Sequence, residues 1–477
     1  MRVLMLGWEF PPFISGGLGT ACYGLTKALS RHQTDVVFVL PKSVDTDYTS
    51  HVKLLSPQAP AAAHGDRGPA SVASTYVIEQ MTGNPAPRHV ASPGELSHVT
   101  FKAVPSRLLS PYQAAESTAG GAARGHREAA DPDRPISVLR GPGSETVTHG
   151  GGTASAGEHY HGDLIQETRR YAQLCVHLAA GEAFDVIHAH DWMTFPAGVA
   201  VAAVTGKPLV VHVHSTEFDR AGENIHQQIY DIERRGMHSA MRIIAVSHLT
   251  RNIIQHRYGI EPDKVRVVYN GVENGNAQPP HPRTAIRRGE KIVLFLGRIT
   301  MQKGPEYFVG AAKRVLSKYE NVKFVMAGSG DKIHEIIELA AREGIGHKVL
   351  FTGFLRGRDV ERIFKMADVY VMPSVSEPFG IAPLEAISHD VPVIISKTSG
   401  VSEVLTNALK VDFWDTDEIA NKIIAVLRHP PLSSTLREHA EPHARVMGQT
   451  SAARPVVFFP TLRAYHALRN THGVAAV

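Results

Sequence analysis

Between Lys291 and Ser388 the chain repeats one local pattern: an apolar run stops at a polar turn, and the turn opens into a segment of helical periodicity. Strands are expected at Ile292–Leu296, Val322–Met326, Val349–Thr352, Val369–Met372 and Val391–Ile395. Helices are expected at Pro305–Lys318, Asp331–Arg342 and Arg358–Met366, beyond Gly380, and at Ile419–Leu427. Gly304-Pro305 is a good helix start, because the missing N–H and fixed φ of proline suit the first helical position. Alternation on this scale restricts the chain to an α/β fold with a doubly wound parallel sheet.

The same alternation occurs earlier, so the 477 residues divide into two domains rather than one core. Strand Arg2–Leu6 feeds a glycine-bearing turn and a helix Gly17–Ser30 with Leu18, Cys22, Leu25 and Leu29 on one face, and strand Asp35–Leu40 follows. After an interruption come helix Gly162–Ala180, a strand ending at His188–Asp191 with a helix behind it, and the strand of PLVVHVHSTEFDR. A helix over Asn224–Ala240, strand Arg242–Val246, helix Ser247–Tyr258 and strand Val265–Tyr269 complete the series, with Ser215 and Ser247 as N-cap candidates. These boundaries give a first domain over 1–275, a second over 276–430 and an irregular tail over 431–477, free to return to the first domain. The interruption at 56–161 is rich in Ala, Gly, Pro and His and cannot offset its ordering entropy, apart from strand-like pieces at Ser74–Glu79 and His98–Val104. Its histidines show no metal spacing.

Several function classes are disfavoured. A net charge of +4 spread along the chain gives no basic arm, so nucleic acid is not the expected partner. The two cysteines, Cys22 and Cys175, make neither a CxxC pair nor a disulfide framework and point to a reducing compartment. The opening MRVLMLGWEF reads as a strand, not a signal peptide, and no apolar run reaches the roughly 18 residues of a span. A cytoplasmic location is expected, with peripheral membrane contact left open.

In open parallel sheets, ligands sit at the carboxyl ends of strands. Arg298 and Lys303 lie just beyond one such end, and Glu377 and Glu385 follow another with seven residues between them. A guanidinium fork and a mobile ammonium both suit phosphate oxygens, while each carboxylate can accept two hydroxyls at once. Something both phosphorylated and hydroxylated fits, and a nucleotide sugar is such a molecule. Each residue also has a bland reading, as a solvated cation in a turn or an exposed helix acid. Gly16, Gly17 and Gly19 either let amides approach a phosphate at a helix start or only permit a tight turn. His190 at its strand end is either structural or turned into a cleft, and a zinc site from His212, His214 and Glu217 would need convergent ligands.

The motifs SGGLGT, HAHDW, VYNGV, GRITMQKG, AGSGD and the E-x7-E of SEPFGIAPLE occur in an order that resembles retaining GT-B glycosyltransferases, family-four enzymes of the glycogen and starch synthase kind. The likeness covers about Met1–Lys53 and Gly162–Leu427. It implies two Rossmann-like doubly wound domains facing a central cleft, transfer of a hexose, glucose in the synthases, from a UDP- or ADP-sugar to a saccharide or other hydroxyl acceptor, and neither cofactor nor metal. By the same match Arg298 and Lys303 hold the donor diphosphate, Glu377 and the amides around Phe379, Gly380 and Ile381 the sugar, and Glu385 the ribose diol. Gly328 belongs to the AGSGD turn on the donor side, Gly16 and Gly17 close over the phosphates, and His190 faces the sugar. The acceptor would lie on the first domain, near the insertion and HSTEFDR. Two features depart from the pattern. Ile14, followed by Ser15, stands where bacterial glycogen and starch synthases carry a lysine two residues before the glycine pair, which argues against a glucan synthase using ADP-glucose. Pro442, Pro455 and Pro460 interrupt the long final helix of the family. A catalytically silent nucleotide-sugar-binding protein and a GT-B epimerase or phosphorylase are the alternatives.

Overall fold

A computed structural model describes residues 1–10, 17–43, 98–106, 162–271, 290–355 and 357–438. Its first sheet holds seven parallel strands: β1 (Arg2–Leu6), β2 (Asp35–Ser43), β3 (Val99–Ser106), β4 (Val186–His190), β5 (Leu209–Val213), β6 (Arg242–Ala245) and β7 (Val265–Val267), in the order β3-β2-β1-β4-β5-β6-β7. Strand periodicity splits β1 between two apolar layers. Val3 and Met5 pack with Cys22, Leu25 and Leu29 of α1 (Gly17–Arg31). Leu4 and Leu6 pack with α2 (Gly162–Ala179) and α3 (Phe195–Thr205) on the other face. The chain winds outward from β1 to β3 and then returns to lay β4 against the free side of β1, which opens a crevice at the carboxyl ends of that pair.

Three further helices belong to this domain: α4 (Glu217–Ala221), α5 (Gln227–Ser239) and α6 (His248–Tyr258). Ser247 caps α6 as expected, its Oγ accepting the Thr250 amide at 3.0 Å. The cap at α4 is Thr216 rather than Ser215, in a reciprocal box with Asp219. This extra turn of helix pushes the start of α5 from residue 224 to Gln227.

The second sheet has six parallel strands, β8 (Lys291–Leu296), β9 (Val322–Ala327), β10 (Val349–Gly353), β11 (Val369–Met372), β12 (Val393–Ser396) and β13 (Leu409–Val411), in the order β10-β9-β8-β11-β12-β13. Helices α7 (Pro305–Leu316), α8 (Ile333–Arg342) and α11 (Thr416–Arg428) cover the face that carries Val293 and Phe295. Helices α9 (Arg358–Met366) and α10 (Ala382–Ser388) cover the face of Leu294 and Tyr370. The winding reverses between β8 and β11, at the two loops that carry Arg298, Lys303, Glu377 and Glu385. β13 was not expected, since three residues leave almost no periodicity. Residues 430–438 are helical, so the tail expected to be irregular from 431 begins as helix, and Leu432 and Leu436 seat it on the core of the second domain. The Ser74–Glu79 piece, most of 56–161, the junction at 272–289 and the tail from 439 lie outside the described residues.

The domains touch through α6. Its first two amides, at His248 and Leu249, donate to the Glu403 carboxylate of the second domain at 2.9 and 2.8 Å, where a negative charge complements the positive end of a helix. Tyr269 also bonds Glu403, and burial together with that charge pushes its phenol up to about 12.

Packing between α5 and α3 yields a stability test. A methyl group on Gly236 would stand 2.6 Å from the fully buried ring of Phe195. Gly236→Ala is expected to cost about 1–3 kcal/mol in urea unfolding of the full chain, and an unchanged midpoint would contradict this packing.

Candidate functional site

Because β8 and β11 are hydrogen-bonded neighbours, the loops that leave their carboxyl ends run side by side. The Gln302 carbonyl accepts the Val375 amide at 2.9 Å and ties the loops together. Arg298 Nη2 donates to Gln302 Oε1 at 3.3 Å, which points the guanidinium along the first loop. Lys303 Nζ donates to Glu377 Oε2, so the sequence-expected cation and acid form a direct ion pair. Ser374 Oγ donates to the same oxygen at 3.3 Å.

The main chain of Glu377 is held as firmly as its side chain. Its amide donates to Thr398 O at 3.0 Å, and its carbonyl accepts Gly400 N at 2.8 Å. Gly380 follows with φ +96°, and any β-carbon there would sit 3.0 Å from Glu377 Cγ. Only glycine lets the chain fold back over the acid in this way. The Phe379 side chain is packed into the core against Tyr269, at a ring separation of 6.0 Å, so it offers a ligand only its main chain. The amides of Phe379, Gly380 and Ile381 donate no hydrogen bond among the described residues, and they lead into α10. Gly328 sits at the end of β9 with φ +146°, where the Gly297 carbonyl leaves no room for a side chain. Its role visible here is this close approach of two strand ends.

Glu385 lies in the first turn of α10, half-buried, and desolvation pushes its carboxyl up to about 7. Tyr370, buried beneath, donates to Leu296 O at 3.2 Å. Its phenol is raised first by burial and then by the charges of Glu377 and Glu385.

On the first domain, Gly16 lies outside the described residues. Gly17 opens α1, and a β-carbon on it would meet Ile381 Cδ1 at 3.9 Å, so this turn faces the start of α10 across the domains. His190 is the last residue of β4 and is fully buried, not turned openly into a cleft. Its Nδ1 bonds His214 Nε2 at 3.0 Å, while Nε2 has no hydrogen-bond partner among the described residues. His188, His190, His212 and His214 form a ladder, with His188 and His212 stacked at 5.4 Å and His212 and His214 at 4.1 Å. Burial, reinforced by the neighbouring rings, lowers the pKa of His190 and His212 and holds His188 down to about 3, and burial alone holds His214 down to about 3, so all four stay neutral.

This convergence was not foreseen, although HAH and HVH on adjacent parallel strands place alternate rings on one face. The nitrogens of His188, His190 and His212 lie within 4.8 Å of one another, as do the ligand atoms of Cys22, His190 and His214. These are the places among the described residues that could hold a metal. Glu217 is not among them. It is buried against Arg220 Nε, with Glu233 on Nη2 of the same guanidinium, so Glu217 and Arg220 are engaged within this domain. Asp191, also unforeseen, has φ +59° and accepts the His214 amide at 2.7 Å through Oδ1. Burial pushes its carboxyl up to about 7.

Comparison with known proteins gives a consistent result. Residues 279–443 match the family Glycosyl transferases group 1, residues 150–274 Glycosyltransferase Family 4, and residues 2–82 the starch synthase catalytic domain. An uncharacterized glycosyltransferase of Methanocaldococcus jannaschii is 35% identical over 261 residues, 52% of this chain and 67% of the relative. The chain belongs to the group 1/family 4 glycosyltransferases. A glycogen synthase of Mycobacterium tuberculosis is 23% identical over 412 residues, 85% of this chain and 80% of the relative. Among solved structures, Anabaena HepE in complex with UDP-glucose superposes over 100% of both chains with a TM-score of 0.59 at 15% identity, a likeness of fold. The two facing parallel-sheet domains of this glycosyltransferase are the GT-B architecture. No helix among its described residues is long and apolar enough to cross a membrane.

Glu385 supplies a pH test that needs no ligand. Its folded pKa is raised from 4.5 to about 7, so the folded protein keeps a proton that the unfolded chain releases, and stability falls as pH rises through that window. Glu385→Gln removes the titration. The stability of the variant relative to wild type is expected to rise from pH 4.5 to 7 by up to about 3 kcal/mol, less the screening by water that reaches the side chain, and then to level off. A difference independent of pH would contradict the burial of this acid.

Proposed function

We propose that this protein is a retaining, metal-independent glycosyltransferase that moves a hexose, glucose in the first instance, from a nucleoside diphosphate sugar to a hydroxyl acceptor, in the cytoplasm. The observation that carries the reading is the Lys303–Glu377 pair, with Arg298 beside it and three undonated amides next to the acid. A cation for the diphosphate and an acid for the sugar stand in contact at the winding reversal of the second sheet, where such folds bind ligands. The glycogen synthase relative and the fold neighbour solved with UDP-glucose support a glucosyl donor.

The chemistry follows from charge. Breaking the anomeric bond adds negative charge to the departing diphosphate and positive character to the sugar ring. Arg298 and Lys303 then stabilise the transition state more than the bound donor, the condition for a faster chemical step. Glu377, displaced from Lys303 by the diphosphate, accepts from sugar hydroxyls, and the amides of Gly380 and Ile381 donate to sugar oxygens. Glu385 accepts the ribose diol as its ionised form. His190 keeps one neutral nitrogen available to a sugar hydroxyl, because a charged imidazole at that depth would be strongly disfavoured. In same-face transfer the leaving phosphate takes the acceptor proton, so no second carboxylate need flank the bond as it does in a glycosidase.

Lys303→Ala and Glu377→Ala are each expected to lower turnover of UDP-glucose or ADP-glucose by about 10²–10³-fold in an assay of released nucleotide across a panel of saccharide acceptors, with unchanged circular dichroism. The product anomer, read by NMR, is expected to match that of the donor, and EDTA to leave the rate unchanged. Near-normal turnover by either purified variant removes the pair from the mechanism. Donor binding without any nucleotide release would favour the silent binding protein.

A further inference from the structure

Helix α4 is barely more than one turn long, yet it is fastened on every side within the first domain. Asp219 Oδ2 accepts from Thr216 N at 2.8 Å and Thr216 Oγ1 at 2.7 Å. Arg220 is gripped by Glu217 and Glu233 and donates to Ser215 O at 3.1 Å. Glu217 Oε1 accepts the His226 amide at 3.1 Å, and Asp191 holds the chain at His214 just before the helix. Thr216, Glu217, Asp219 and Glu233 are all buried. A satisfied polar network of this density is rigid.

The second domain meets this rigid piece twice. Met301, two residues before Lys303, brings its methyl group to 3.8 Å from where a β-carbon on Gly222 would stand. Ser376, the residue before Glu377, donates from Oγ to the remaining Asp219 oxygen, Oδ1, at 2.6 Å. One short helix of the first domain, with the glycine that caps it, therefore lies against both loops whose cation and acid form the ion pair.

We infer that α4 is a peg onto which the second domain closes, and that Ser376 is a positioning residue that seats Glu377 when it does. The inference rests on the donor reading above and adds to it how the site is completed. With the domains apart, Asp219 Oδ1 and the Ser376 hydroxyl return to water, and Glu377 keeps only the contacts of its own domain. With them together, a hydrogen bond to a buried carboxylate fixes the main chain one residue from the acid, and such charge-assisted bonds are about twice as strong as neutral ones.

Ser376→Ala deletes the donor and leaves the Thr216 contacts of Asp219 untouched, and Ser376→Thr retains a hydroxyl. For the full chain, kcat and KM for UDP-glucose-dependent transfer and the radius of gyration from small-angle scattering, with and without UDP, are to be measured on wild type and both variants. Ser376→Ala is expected to lower kcat about tenfold with little change in KM and to scatter as a more extended particle, while Ser376→Thr recovers most of both. Wild-type kcat and radius of gyration in Ser376→Ala, or equal impairment of the two variants, would overturn the inference. Should wild type transfer nothing from UDP-glucose or ADP-glucose, the donor reading fails while the scattering still decides the peg: a more extended Ser376→Ala than Ser376→Thr supports it, and identical particles refute it.

Discussion

The contact between Lys303 and Glu377 is the interaction on which the rest of the second domain converges. It joins the loops of two neighbouring parallel strands, and both side chains are largely withdrawn from water, Lys303 at 21% exposure and Glu377 at 8%. Removing one partner from a pair of this depth leaves the other charge uncompensated, a cost of about 3–5 kcal/mol when burial is complete. Two fastenings keep the pair from drifting: Gln302 ties loop to loop through Val375, and Glu377 is stitched to 398–400 by its own backbone. The pair neutralises the pocket without a ligand, and in the proposed account an incoming diphosphate takes over the cation and releases the acid.

The first domain is built on a different electrostatic plan. Where the second places a charged pair at its winding reversal, the first places four neutral imidazoles and a buried, weakened acid, Asp191. In the proposed account, neutral groups of this kind neither repel a diphosphate nor compete for its cations, and the unpartnered His190 nitrogen serves a hydroxyl. Glu403 capping α6 and Ser376 meeting α4 hold the two plans face to face.

Much of this was legible in the order of residues. Apolar runs ending at polar turns announced two doubly wound sheets, and Arg298, Lys303, Glu377 and Glu385 stood out because each follows a strand end. What pattern could not convey was partnership. Nothing in the spacing of Lys303 and Glu377, 74 positions apart, says that they touch, because that depends on β11 returning to the free side of β8. The neighbours of His190 were hidden for a related reason: strand register, not local sequence, sets it beside His212. Helix α4 escaped notice because five residues carry too little periodicity, and the setting of Glu217 depends on Glu233, which arrives from α5.

A crystal structure of the full chain with UDP-glucose tests the account most directly. The expected result is Lys303 Nζ and the Arg298 guanidinium at about 2.7–3.2 Å from diphosphate oxygens, with Glu377 turned from Lys303 onto the sugar hydroxyls. A donor seated in that crevice with the Lys303–Glu377 contact intact, or a nucleotide bound away from the β8 and β11 loops, would contradict it.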